Sequence, residues 1–327
     1  MRLNEPLLKL PIQFCGETLA SEIQALPPSA WVPHPTGFVG NEAVRLVTPG
    51  GRATDELEGP MAPTEYLMSC PYIMEVMAEL GGVWGRSRLM GLAPGADVPR
   101  HIDIHYYWRT HLRIHIPVIT NPDVSFACGD EAVHMAAGEC WVFDSFRSHG
   151  VSNRGPERRV HLVLDTVGGE RIWDRVNRAQ TAGLLETTPD SLRPGQGKGE
   201  PLLFEQQNAP TVMTAWEMKA HIEYLVGHVL PDPRLEAVMR RLDKLLNCWG
   251  AAWAQFGAGD GGFPTYRQLI ATASQDLDAI GGGQIALQNG RPLLFVLSQM
   301  VFATAVPWRT DDSAIASNGV GSRRLAS

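Results

Sequence analysis

The chain changes texture once, and that change limits what it can fold into. Up to about residue 170 it consists of short β-forming runs separated by turn signals; from about residue 211 its apolar residues recur at helical spacing. The β-like runs are Val44–Val47, Arg86–Leu92, His111–Ile119, Val133–Met135, Cys140–Phe143 and Arg159–Val167. Between them stand Pro94-Gly95, Asn121-Pro122-Asp123, Gly129-Asp130, Ala137-Gly138 and Asn153-Arg154-Gly155-Pro156. Short strands at this spacing, without helices between them, point to an antiparallel sandwich or barrel. One helix is expected near Pro71–Leu80, before the strand that carries Arg86.

The second part reads differently. Residues 187–211 are rich in Pro and Gly and read as a linker or surface loop. Thr214-Ala-Trp-Glu217 is a capping box followed by Met218, Ile222, Leu225 and Val229 on one face. Asp232-Pro233 opens a second helix with Leu235, Val238, Leu242, Leu245 and Trp249 as its apolar stripe, and Thr265-Tyr-Arg-Gln268 opens a third. Leu293–Val306 is the most apolar stretch; it is too short to span a bilayer, contains Ser298 and Gln299, and reads as a buried core helix. The expected organisation is a β domain over 1–185, a linker over 186–212, a helical region over 213–308 and a flexible tail over 309–327. No internal repeat is present.

With 327 residues, 44% hydrophobic and 19% charged, the chain has the composition of a globular protein. A net charge of −7 disfavours a broad nucleic-acid or anionic-membrane surface, so neither partner is expected. The five cysteines are odd in number and no two form a CxxC, which fits a reducing, cytoplasmic setting better than a disulfide framework. The N-terminal stretch carries Glu5, Lys9 and two prolines where a signal peptide needs an unbroken apolar run. A homodimer is possible on these grounds, and the oligomeric state is left open.

The chemistry concentrates in residues 99–118 and 141–165. His101-Ile-Asp103 places an imidazole and a carboxylate two residues apart, which on an extended strand puts both on one face. His149 is the best candidate for a third ligand. Two histidines and one carboxylate leave half an octahedron open, as in non-heme Fe(II) oxygenases that admit a chelating cosubstrate and oxygen. Arg113 and His115 share a face of one expected strand, and Arg159 and His161 of another. An arginine on an inward β face needs an anionic partner. Arg159 lies ten positions after His149, so a hairpin-like return would bring it past the metal, where it would suit the far carboxylate of a dicarboxylate such as 2-oxoglutarate.

These segments resemble the aspartyl/asparaginyl β-hydroxylase family of Fe(II)/2-oxoglutarate dioxygenases, which includes bacterial proline hydroxylases. The resemblance rests on Arg113-Ile-His115, on Gly138-Glu-Cys-Trp-Val-Phe-Asp144-Ser-Phe-Arg-Ser-His149, and on Arg159-Val-His-Leu-Val-Leu-Asp165. It covers about residues 84–168. It implies that His101 and His149 ligate iron, with Asp103 as third ligand as in the proline hydroxylases. It also implies that Arg159 binds the distal carboxylate of 2-oxoglutarate, and that Arg113 and His115 lie near its metal-chelating end. The residue that corresponds to a cosubstrate-binding serine of the animal enzymes is Met90.

The expected fold is therefore a mainly β catalytic core, a cupin-like double-stranded β-helix or jelly roll with flanking helices, followed by an α-helical C-terminal region. The expected activity is hydroxylation of an unactivated C–H of an amino acid, free or within a peptide. It would use Fe(II), 2-oxoglutarate and O2 and release succinate and carbon dioxide. Arg86, Arg88, Tyr107, Trp108 and Arg109 are candidates for contact with the substrate. The rival readings are a cupin-type metal isomerase or Zn enzyme, and a non-catalytic small-molecule-binding module on the same barrel.

Overall fold

The protein is represented by a computed structural model, in which residues 3–181 and 189–308 are described; the expected flexible tail, 309–327, and the boundary at 185/186 lie outside them. The described residues form two compact units. One comprises 3–103, 110–181 and 189–208; the other comprises 104–109 and 209–308.

The strands in chain order are β1 (Leu7–Phe14), β2 (Val32–Pro33), β3 (Asn41–Pro49), β4 (Met61–Pro63), β5 (Val83–Leu92), β6 (Asp97–His101), β7 (Leu112–Ile119), β8 (Val124–Cys128), β9 (Glu131–Val133), β10 (Glu139–Phe143), β11 (His149–Asn153), β12 (Arg159–Gly168), β13 (Asp190–Leu192) and β14 (Leu203–Phe204). The helices are α1 (Gly16–Ala25), α2 (Glu65–Met68), α3 (Pro71–Leu80), α4 (Tyr106–Thr110), α5 (Glu170–Thr181), α6 (Ala215–Val226), α7 (Leu235–Phe256), α8 (Phe263–Ala279) and α9 (Leu293–Leu297). No helix among the described residues is long and apolar enough to cross a membrane.

The first unit is a double-stranded β-helix. Its larger sheet runs β13-β1-β10-β7-β12-β5-β3-β2, with β14 added on β5 and β4 on β3. Its smaller sheet runs β6-β11-β8-β9. The sheets are joined by side chains from both: Leu7 of β1, Phe143 of β10, Phe126 and Cys128 of β8 and Met135 form one buried cluster. The Phe126 and Phe143 rings meet edge-on at 4.9 Å. Strand β12 is buried along nearly its whole length, the pattern of a central strand covered on both faces. Outside the larger sheet, α1 packs on β7 and α5 on β1.

Several sequence expectations change here. The sequence reading assigned no strand before Val44, yet β1 supplies a central partner for β10. The stretch read as a linker is not free: β13 pairs with β1 and β14 with β5, both parallel rather than antiparallel. Prolines and glycines exclude helix there but do not prevent two or three residues from pairing at a sheet edge. The expected hairpin between His149 and Arg159 is absent, because β11 belongs to the smaller sheet and β12 to the larger.

In the second unit, Thr214 caps α6 as its capping box predicts, its hydroxyl accepting from Glu217 N at 3.1 Å. Helix α8 begins at Phe263 rather than at Thr265. Pro264 fills the first turn, where a missing N–H costs nothing, and Gln268 bonds Thr272 instead of reaching back. The last apolar stretch is helical to Phe302, with a wider π turn over Ser298–Phe302.

Candidate metal centre

His101 and His149 face each other directly across the antiparallel pair β6/β11, and cross-strand partners bring their side chains together. Their ring centroids are 4.3 Å apart. The ladder is irregular between His149 and Val151, and Gly150 occupies the irregularity. A Cβ on Gly150 would stand 2.9 Å from Val98 O and 3.1 Å from Arg100 N, so the close approach of the two ligand strands requires glycine there.

Asp103 joins them by another route than expected. Strand β6 ends at His101, so strand alternation does not place the carboxylate. The chain turns inward instead, held by a bond from Asp103 N to Ser145 O at 3.0 Å. His101, Asp103 and His149 each offer one ligand atom, and these atoms lie within 4.8 Å of one another. Asp103 and His149 are each 3% exposed.

Both imidazoles are oriented alike. His101 Nδ1 and His149 Nδ1 each lie 2.9 Å from the carbonyl two residues upstream, of Pro99 and Arg147 respectively. A carbonyl only accepts, so Nδ1 carries the proton and Nε2 keeps its lone pair. Burial pushes the pKa of His149 down to about 4, and Asp103 only partly offsets this, so the ring is neutral at physiological pH. Two imidazole Nε2 atoms and a carboxylate oxygen suit a divalent transition metal. Asp144 lies outside the trio; its carboxylate accepts from Phe146 N at 3.1 Å and from Arg147 Nε at 3.2 Å.

The trio opens on a cavity of about 100 Å³ that is also lined by Arg86, Arg88, Arg113, His115 and Arg159. Arg113 donates to Asp103 Oδ2 at 3.0 Å and grips both oxygens of Asp165, at 2.8 and 3.1 Å. Its charge, with that of Arg86, holds the Asp165 carboxyl below its usual value against the opposing effect of burial. Arg159 differs. It is 3% exposed, and its Nε and Nη2 meet no partner among the described residues. Burial alone draws its pKa down to about 9, so it remains a cation at neutral pH, with no anion beside it. Neither Glu157 nor Asp165, the partners it would have as a structural sheet arginine, bonds it. His115 Nδ1 and both ring nitrogens of His161 are also buried without partners, and the two rings lie 5.7 Å apart.

Of the residues singled out in the sequence, Tyr107, Trp108 and Arg109 do not line this cavity. They lie in the helical unit, where Arg109 stacks 3.9 Å over the Tyr224 ring. Sequence reasoning missed His34, Thr36 and Asn41, which line the cavity. His34 and Thr36 come from the irregular segment between β2 and β3, whose lone histidine carries no spacing signal, and Asn41 opens β3.

Residues 58–168 match the family model described as aspartyl/asparaginyl beta-hydroxylase. Among solved structures, the chain is similar to an oxidoreductase of the 2OG-Fe(II) oxygenase family from Burkholderia pseudomallei. That match has 11% identity, covers 48% of this chain and 80% of the other, and has a TM-score of 0.36. It is also similar to a prolyl-4-hydroxylase from Pseudomonas putida, with 14% identity, 50% and 92% coverage and a TM-score of 0.35. A cupin domain from Bordetella pertussis matches with 16% identity, 25% and 79% coverage and a TM-score of 0.21.

Proposed function

We propose that the protein is an Fe(II)- and 2-oxoglutarate-dependent dioxygenase that hydroxylates an unactivated C–H, a reading supported by the match of residues 58–168 to the aspartyl/asparaginyl beta-hydroxylase family model. His101, Asp103 and His149 would hold the iron. Bound there, Fe(II) supplies the oxygen chemistry that couples decarboxylation of 2-oxoglutarate to hydroxylation.

The observation that carries this reading is Arg159. A buried guanidinium with an unpartnered Nε/Nη2 edge, on the cavity that holds a two-histidine, one-carboxylate trio, suits a bidentate carboxylate. 2-Oxoglutarate has the chemistry for both stations: a keto acid to chelate the metal and a second carboxylate for Arg159. The remaining residues position and exclude. The carbonyl bonds from Pro99 and Arg147 fix the histidine tautomers, Arg113 steers the Asp103 carboxylate, and Phe126, Phe143 and Val163 keep that wall apolar.

The test is anaerobic reconstitution with Fe(II) and 2-oxoglutarate, then exposure to oxygen and assay of succinate. Release that requires all three and is lost in His149→Ala is expected. Protein that binds metal at the trio but neither binds 2-oxoglutarate nor releases succinate would instead be a metal enzyme or binding module of another kind.

A further inference from the structure

On β12, Arg159, His161 and Val163 alternate and share one face. Arg159 and Val163 line the metal cavity, and so does Met90, which stands directly opposite His161 on β5. His161 is thus framed by cavity residues, yet both of its ring nitrogens are buried without a partner. It is 1% exposed. Burial, and then the charge of Arg159, push its pKa well below the usual value, so the ring is neutral.

No neighbouring side chain meets those nitrogens. Met90 has no N–H or O–H to offer, and the partner on β7 is Pro117, which has no amide hydrogen. The His115 ring lies 5.7 Å away, but its own Nδ1 is equally without a partner. His134 Nδ1 is already engaged with Val124 O at 3.1 Å. Buried polar atoms of this kind are met by water or by a ligand. The surroundings favour an anionic ligand. Arg159 Nε and Nη2 are buried and unpartnered in the same way, and Arg159 is the foremost charge acting on both His161 and His115. Water would leave that cation unmatched; an anion would satisfy guanidinium and imidazole together.

We propose that His161 is a second donor to the distal carboxylate of the cosubstrate: Arg159 grips that carboxylate through its Nε/Nη2 edge, and one His161 ring N–H takes a further oxygen lone pair. This rests on the dioxygenase reading and makes the cosubstrate station an Arg–His pair rather than a lone arginine. Two residues along a strand span roughly 6.6 Å, a distance that one carboxylate bridges between two side chains. A carboxylate has about four lone-pair sites, of which the arginine fork uses two. A neutral imidazole suits the place beside it, because it donates a bond without adding a second positive charge that would stand unmatched before the cosubstrate arrives. The open space of the cavity reaches neither His161 nor the Arg159 edge, so one local opening serves both.

The experiment titrates 2-oxoglutarate and 2-oxopentanoate, by calorimetry, into the full chain loaded with Mn(II) in place of Fe(II), so that no turnover enters the readout. 2-Oxopentanoate has the keto acid but not the far carboxylate. His161→Leu is expected to raise the Kd of 2-oxoglutarate roughly tenfold, the usual cost of one charge-assisted bond. The Kd of 2-oxopentanoate should stay within about twofold of wild type. Without metal or cosubstrate, the melting temperature of the variant should equal or exceed that of wild type, because an apolar group replaces a buried polar one that bonds nothing. His161→Gln, which keeps a side-chain N–H, should recover part of the affinity. His161→Phe serves as the apolar variant if leucine prevents folding. An unchanged Kd for 2-oxoglutarate overturns the proposal, and so does an equal loss for both keto acids. A lower melting temperature with unchanged 2-oxoglutarate affinity would make His161 a structural residue that holds buried water. Wild-type protein that binds Mn(II) but not 2-oxoglutarate is a different result; it overturns the dioxygenase reading itself, and this proposal with it.

Discussion

Arg113 ties Asp103 to Asp165: one guanidinium donates to Asp103 Oδ2 at 3.0 Å and to Asp165 Oδ1 at 2.8 Å. A carboxylate beyond the end of its strand is thereby anchored to the central strand of the opposite sheet. Asp165→Asn removes the counter-charge that orients Arg113 while leaving the three ligand side chains intact. The expected result is a roughly 10–100-fold loss of metal affinity, the usual cost of losing an outer-layer partner. Competition against a chelator measures it; an unchanged dissociation constant would show that Asp103 needs no such anchor.

Arg159→Met is expected to raise the 2-oxoglutarate requirement roughly 10–150-fold, the equivalent of losing one charge-assisted bond worth roughly 1.5–3 kcal/mol. The KM for 2-oxoglutarate in succinate release reads this directly. A KM within twofold of wild type would move the clamp to another cation.

Gly150→Ala places a methyl against the backbone of Val98 and Arg100. Backbone cannot swing aside as a side chain can, so β6 must shift and carry His101 away from His149. A stability loss of roughly 1–3 kcal/mol is expected, as for other overpacked sites, together with weaker metal binding. Urea denaturation of the metal-free protein, followed by metal titration, checks both.

Acid should destabilise the metal-free protein well before its carboxylates titrate. Burial holds His34 near 3 and His149 near 4, and it holds His115 and His161 well below the usual value. In the unfolded chain such imidazoles take up protons near pH 6.5. Between these values the unfolded state binds more protons, so stability rises with pH and is lost as pH falls below about 6.5. Each such imidazole costs about 1.4 kcal/mol per pH unit in that window. Urea midpoints at pH 7.5, 6 and 5 should fall in order; a level midpoint would contradict buried, neutral histidines.

The β-helix was legible because strand runs and turn residues alternate at short spacing, and because the R-x-H and Trp-to-His149 motifs carry family information. The geometry of the trio was less so. The i, i+2 argument for Asp103 assumes a continuing strand, but the strand stops at His101 and a bond to the Ser145 carbonyl places the carboxylate. The partners of Asp165, and the arrival of His34 and Asn41 at the cavity, depend on long-range pairing that local pattern does not encode. Strands β1 and β13 escaped for a similar reason, since their pairing is decided by distant segments.

The path of the chain next to Asp103 has a practical consequence. Immediately after this residue the backbone leaves the β unit, contributes Ile104–Arg109 to the helical unit, and returns at Thr110. There Tyr106 Oη donates to Glu217 Oε1 at 2.6 Å and its ring meets His221 at 5.4 Å. The C-terminal helices are thus no detachable appendix. Truncation after residue 208 would strip the seat from a six-residue excursion that starts one peptide bond from the carboxylate, and a chimera joining this β-helix to a foreign C-terminus would have to rebuild that seat before its candidate metal centre could be judged.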